Sequence, residues 1–125
     1  MTKKSNREIA LSFFDLVESR EFRNWFDEHT SKDYIHHNQH FKGDRETLIS
    51  AMEEDARSNP EKSVEVKMSL ADGDFVMTFS HVKQDPDHLG FALMHIFRFV
   101  DSQVVEMWDI NQAILQDSPN ENGVF

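Results

Sequence analysis

The chain carries seven histidines and 23 acidic side chains but no cysteine. Thiolate chemistry is therefore excluded, as are cysteine zinc sites and iron–sulfur clusters. What remains is imidazole and carboxylate, which suit proton transfer or ligation through nitrogen and oxygen. The densest group is Tyr34-Ile35-His36-His37-Asn38-Gln39-His40. His36 and His40 stand four apart, a spacing that converges only on a helix, and this segment lacks a helical pattern. No His-Glu-x-x-His run exists. A metal sphere would have to gather His37, His81, His95 and Asp109 from across the chain.

The second source of chemistry is polar residues on apolar strand faces. Side chains alternate across a strand. One row is Phe75, Met77, Phe79 and His81; a second is Phe91, Leu93, His95, Phe97 and Phe99; a third is Val105, Met107, Asp109 and Asn111. Each is apolar with a polar member. A single histidine in such a row usually serves a core. Two histidines and an aspartate on three consecutive strands point instead to a shared polar spot in an apolar cavity. A carboxylate there needs a partner, water or a raised pKa. Asp109, flanked by Trp108, Asn111 and Gln112, is therefore the first candidate for removing a proton α to a carbonyl.

These rows presuppose elements to hold them. Ser5-Asn6-Arg7-Glu8 has the form of a capping box, and Ile9, Ala10, Phe13, Phe14 and Val17 follow at helical spacing, predicting a helix over 6–19. Phe22, Trp25 and Phe26 predict a second, short helix. Residues 33–38 read as a short extended piece or loop. Asp44 is a cap candidate for a helix that Asn59-Pro60 stops. The period then changes to two. Strands are expected over 64–70, 75–82, 91–100 and 104–113, with Asp72-Gly73 as a hairpin turn. Helices followed by a four-stranded antiparallel meander argue α+β, with helices closing one face of a curved, cone-shaped sheet around a pocket. The whole chain, 1–125, reads as one domain with a core over 5–114 and a loose tail over 115–125.

The formal charge of −10 disfavours nucleic acid and anionic membranes as partners, since both reward clustered Lys and Arg. No apolar run is long enough to span a membrane, and the basic start lacks the apolar stretch of a secretory signal, so a cytoplasmic protein is expected. Apolar residues at Val76, Met94 and Ile96 suggest that the second sheet face is covered too, as in a homodimer.

Tyr34-Ile35-x-His37-Asn38, Leu70-Ala71-Asp72-Gly73-Asp74, Ser80-His81-Val82, Ile96-Phe97-Arg98 and Val105-Glu106-Met107-Trp108-Asp109 resemble the SnoaL-like polyketide cyclase proteins of the nuclear transport factor 2 superfamily. Within it, the chain is similar to bacterial proteins regarded as aldol-condensation enzymes. The resemblance implies a cone-shaped α+β barrel that dimerises through the outer sheet face. It implies an Asp near the barrel end acting as general acid/base, with no metal or organic cofactor, and Asp109 matches that position. His37 and His81 match residues expected in the pocket, whereas His36 is expected at the surface or rim. The resulting expectation has Asp109 as base and His37, His81 or His95 as donor to an enolate. Phe79, Phe97 and Trp108 would form apolar walls, with Tyr34, Asn38 and Gln112 lining the rest. The ligand would be a small apolar or aromatic carbonyl compound. The same cavity could equally bind such a ligand without turning it over.

Overall fold

The computed structural model describes residues 3–125. Helix α1 (Asn6–Ser12) passes through a 3-10 turn (Phe13–Asp15) into α2 (Leu16–Ser19), and α3 (Phe22–His29) follows. The capping box forms as its residues require: Glu8 N–H donates to the Ser5 hydroxyl and Ser5 N–H to the Glu8 carboxylate, both at 3.1 Å. Strand β1 (Thr30–His36) leads into α4 (Arg45–Ser58), then β2 (Ser63–Asp72), β3 (Phe75–Lys83), β4 (Phe91–Val100) and β5 (Gln103–Ala113). Asp44 caps α4, accepting from Thr47 N–H at 3.0 Å.

The sheet has five strands in the order β1-β5-β4-β3-β2, so the meander expected from the sequence gains a member. β1 pairs with β5 in parallel, and the other pairs are antiparallel. This short strand carries Lys32 and Asp33 at exposed positions, and its apolar signal is correspondingly weak. Arg45 fixes its start, donating to the Thr30 hydroxyl at 3.1 Å and the Phe26 carbonyl at 3.3 Å.

The helices cover one face of the sheet. Phe13, Phe14, Trp25 and Phe26 pack there against Val76, Phe97, Phe99 and Met107. Phe13 sits at the centre, with ring centroids 5.1 Å from Trp25 and 5.7 Å from Phe97, edge-on as aromatic quadrupoles favour. No helix among the described residues is long and apolar enough to cross a membrane.

Two of the expected strand faces are correct and one is inverted. On β4, His95, Phe97 and Phe99 are buried inward, and on β5 Met107, Asp109 and Asn111 face the covered side with them. A register shift beside Arg98 and Phe99 replaces Val105 with the fully buried Val104. On β3, however, Val76, Thr78, Ser80 and Val82 are the buried row. Phe75, Met77, Phe79 and His81 therefore lie on the outer face. Val76 is a core residue, while Met94 and Ile96 do face outward, opposite Phe79 and Met77. A second shift, between Val66 and Met68, splits β2. Val64 and Val66 pack on the core, and Met68 and Leu70 turn outward, opposite Phe79 and Met77.

Gly90, ahead of β4, has φ +99° and no room for a side chain: a Cβ would lie 2.5 Å from the Val82 carbonyl and 2.6 Å from His81 Nε2. Gly73 has φ +57° and open space around it. Gly90→Ala is expected to cost about 2 kcal/mol or more, against about 1 kcal/mol for Gly73→Ala. Parallel urea denaturation of the two variants checks the order, and equal losses would contradict it.

Candidate active-site cavity

The hollow between the helices and the inner sheet face is a cavity of about 340 Å³, within the range of small-molecule sites. Its apolar wall is built by Phe13 and Phe14 from the helical side and by Leu93 and Met107 from the sheet. Set into this wall is one polar row that crosses the strands. Thr78 on β3 stands opposite His95 on β4, His95 stands opposite Asp109 on β5, and Asp109 accepts from Asn38 just beyond β1.

Asn38 Nδ2 lies 3.1 Å from Asp109 Oδ1 and 3.2 Å from Oδ2, so one amide holds both carboxylate oxygens. Asn38 is itself held in place. Its N–H donates to His36 Nδ1 at 3.1 Å, and its Oδ1 accepts from His40 N–H at 2.9 Å. His36 in turn donates from Nε2 to the Lys42 carbonyl at 2.8 Å. That donor fixes the tautomer, because Nδ1 must then accept. His36 is thus a buried anchor for the loop presenting Asn38, and the surface or rim position expected for it is corrected.

His95 is buried among aromatic rings, with Phe13 and Phe14 edge-on at 5.4 Å and Phe97 stacked at 5.6 Å. Burial pushes its pKa down to about 4, although the negative charge of Asp109 pulls the other way. The imidazole is therefore neutral near pH 7, offering one donor and one acceptor. Among the described residues its Nδ1 has no hydrogen-bond partner, nor do the Thr78 hydroxyl and the Tyr34 hydroxyl. Tyr34 is buried, packed on Phe26 at 5.6 Å. Burial, with the Asp109 charge in support, holds its phenol protonated by raising its pKa.

Of the residues expected at the site, Asp109, Asn38 and His95 meet in the cavity, with Phe97 and Tyr34 beneath them. His37, His81, Phe79, Trp108 and Gln112 are not brought there. The alternation rule explains each. Tyr34 and His36 point inward, so His37 points outward. His37 stacks on Trp108 at 4.9 Å on the outer face and reaches Glu106 at 2.7 Å. There His37, with Arg98, holds the Glu106 carboxyl below the usual range. His81 and Phe79 share the outer row of β3, where Phe125 covers them at 4.9 and 5.2 Å. His81 Nε2 donates to the Leu89 carbonyl at 2.8 Å, ordering the turn before Gly90. Gln112 pairs with Ala92 and is exposed. The ligand set weighed for a metal is thereby divided: His95 and Asp109 lie on one side of the sheet, His37 and His81 on the other.

The sequence reading missed the polar residues on the far wall. Asp55, Asn59, Lys62 and Gln84 line the same cavity. Asp55 accepts from Asn59 at 3.0 Å and Gln84 at 3.2 Å and pairs with Lys62. Their only signal was position: a helix C-terminus, the loop after it and the residue following β3.

No family model and no curated protein matches the chain. Solved structures do. A protein from Jannaschia sp. CCS1, provisionally described as a SnoaL-like polyketide cyclase, is 21% identical over 90% of this chain and 92% of its own, with a TM-score of 0.69. A protein from Kribbella flavida, provisionally described as a ketosteroid isomerase, is 18% identical over 96% and 87%, with a TM-score of 0.70. An NTF2-like protein of unknown function from Cytophaga hutchinsonii is 11% identical over 89% and 93%, with a TM-score of 0.66.

The His95 environment predicts a pH effect on stability. The folded state binds its proton less readily than the unfolded chain, so the associated stabilisation is complete above about pH 6.5 and is lost as pH falls toward 4. Its full size is about 3 kcal/mol. Chemical denaturation at a series of pH values should show this loss, and His95→Phe should flatten it; an unchanged slope in that variant would contradict the assignment. Its helices, its mixed sheet and its covered cavity give this chain the nuclear transport factor 2-like fold of the SnoaL-like proteins.

Proposed function

We propose that the cavity binds a small apolar carbonyl compound and that Asp109 is its general base. The observation carrying this reading is the Asp109 carboxylate, held by Asn38 and set beside the neutral imidazole of His95, whose ring packs among phenylalanines. Asp109 takes a proton from the carbon α to the carbonyl. The electrons of that C–H bond move into the carbonyl, and the enolate oxygen accepts a hydrogen bond from the His95 ring N–H. The proton then returns either to another carbon, giving isomerisation, or to the alkoxide formed when the enolate attacks a second carbonyl, giving aldol-type closure. Asn38 is a positioning residue: it fixes the plane of the carboxylate. Phe13, Phe14 and Leu93 along the cavity would limit the access of bulk water to the enolate.

Deuterium exchange tests the first step without the natural substrate. The acetyl protons of para-methylacetophenone should exchange in D₂O faster with the protein than in buffer alone, followed by proton NMR. Asp109→Asn should slow that exchange by about 100-fold or more. Absence of protein-dependent exchange, with binding retained, would favour a binding protein over an enzyme.

We also infer that the outer sheet face pairs with a second copy of the chain. In support, Ile110 is 73% and Leu70 60% exposed, with Met68 and Phe75 beside them, a larger apolar area than a solvated sheet face carries. Ile110→Lys should convert a dimer into a monomer by light scattering at micromolar concentration. A wild-type monomer would overturn the inference.

A further inference from the structure

The far wall of the cavity has a chemistry of its own. Lys62 and Arg20 both line it, although acidic residues outnumber basic ones by 23 to 13 in the chain. Arg20 ends α2 with φ +60°, a left-handed conformation unusual for a side chain of this size. Its guanidinium donates to the Pro60 carbonyl at 3.2 Å, which ties the end of α2 to the loop bearing Lys62. Both cations are thereby brought to one lip.

Asp55 organises this lip rather than reacting there. Its Oδ1 accepts from the amides of Asn59 and Gln84, and its Oδ2 pairs with the Lys62 ammonium. Both oxygens are occupied. Lys62 has three N–H donors, and one is engaged by Asp55. Among the described residues Gln84 Oε1 is buried with no partner. The ammonium also lies near enough to His95 for its charge to oppose protonation of the ring, so it belongs to the same space as the polar row. The cavity is bipolar, with the Asp109 carboxylate on the sheet wall and cationic donors across from it.

We propose that Lys62, held by Asp55 and supported by Arg20, binds a carboxylate at the end of the substrate remote from the reacting carbonyl. This rests on the reading of Asp109 as base, and it names the substrate class as an apolar oxo-carboxylate. The acid end docks on the cationic lip, the apolar body lies along Phe13, Phe14 and Leu93, and the carbonyl reaches Asp109 and His95. Opposite placement would set two carboxylates against each other.

Matched probes test this. The anion para-acetylbenzoate and the neutral para-methylacetophenone share ring and acetyl group and differ at the remote end. By NMR titration the wild-type protein should bind the anion about tenfold tighter, the scale of a charge-assisted hydrogen bond. Lys62→Met should reduce that preference, taken as the ratio of the two affinities in the same variant, below about twofold, and Lys62→Arg should retain it. Equal wild-type affinities, failure of both probes to bind, or a preference that survives in Lys62→Met would overturn the proposal. Its failure is separable from that of the base: the neutral ketone would still exchange its acetyl protons through Asp109. Circular dichroism of Lys62→Met checks folding, and if that variant is unfolded, loss of the wild-type preference between low and high salt becomes the deciding measurement, its persistence counting against the proposal.

Discussion

A carboxylate on the covered face of a sheet must find donors, and here one amide supplies them. The hydrogen bonds from Asn38 to both oxygens of Asp109 link a loop after β1 to a strand near the end of the chain. The rest of the site follows from this link. It requires β1 to join the sheet beside β5, which it does in parallel. It requires the segment after β1 to be rigid, which the two hydrogen bonds of the buried His36 achieve. It also leaves Asp109 with its orientation set and its remaining acceptor capacity turned to the cavity.

The second constraint is electrostatic. His95 lies in a cage of phenylalanine rings, where a positive charge would be poorly solvated, so the ring stays neutral beside a carboxylate. A neutral donor next to a charged base is the pairing that enolate chemistry uses. On the opposite wall Lys62 is paired with Asp55, and Arg20 adds a second cation there. One cavity therefore holds a carboxylate at one end, an apolar middle and a lip with two cations, an arrangement that would orient an elongated ligand in one direction.

The legibility of this architecture in the sequence varied by strand for physical reasons. β4 and β5 were readable because their buried rows are apolar and their polar members, His95 and Asp109, interrupt a regular alternation. Capping at Ser5 and Asp44 was readable because it is local. β3 was misread because its outer row, Phe75 to Phe79, is more aromatic than its buried row, where Thr78 and Ser80 sit. Hydrophobicity cannot distinguish a core face from an exposed apolar face. His37 was misplaced by resemblance, whereas plain alternation from Tyr34 would have selected His36. The Asp55–Lys62 lip was invisible because its members come from a helix end, a loop and a strand end, elements whose meeting no period encodes.

In the proposed reaction a carbonyl compound enters between the helices and the sheet with its α-carbon against Asp109. A crystal structure of the protein with para-methylacetophenone addresses it most directly. The acetyl carbon should lie within about 3.5 Å of an Asp109 oxygen and the carbonyl oxygen on the His95 ring nitrogen. A ketone bound on the outer sheet face, or in the cavity with its ring against Asp109 and its acetyl group turned away, would contradict it.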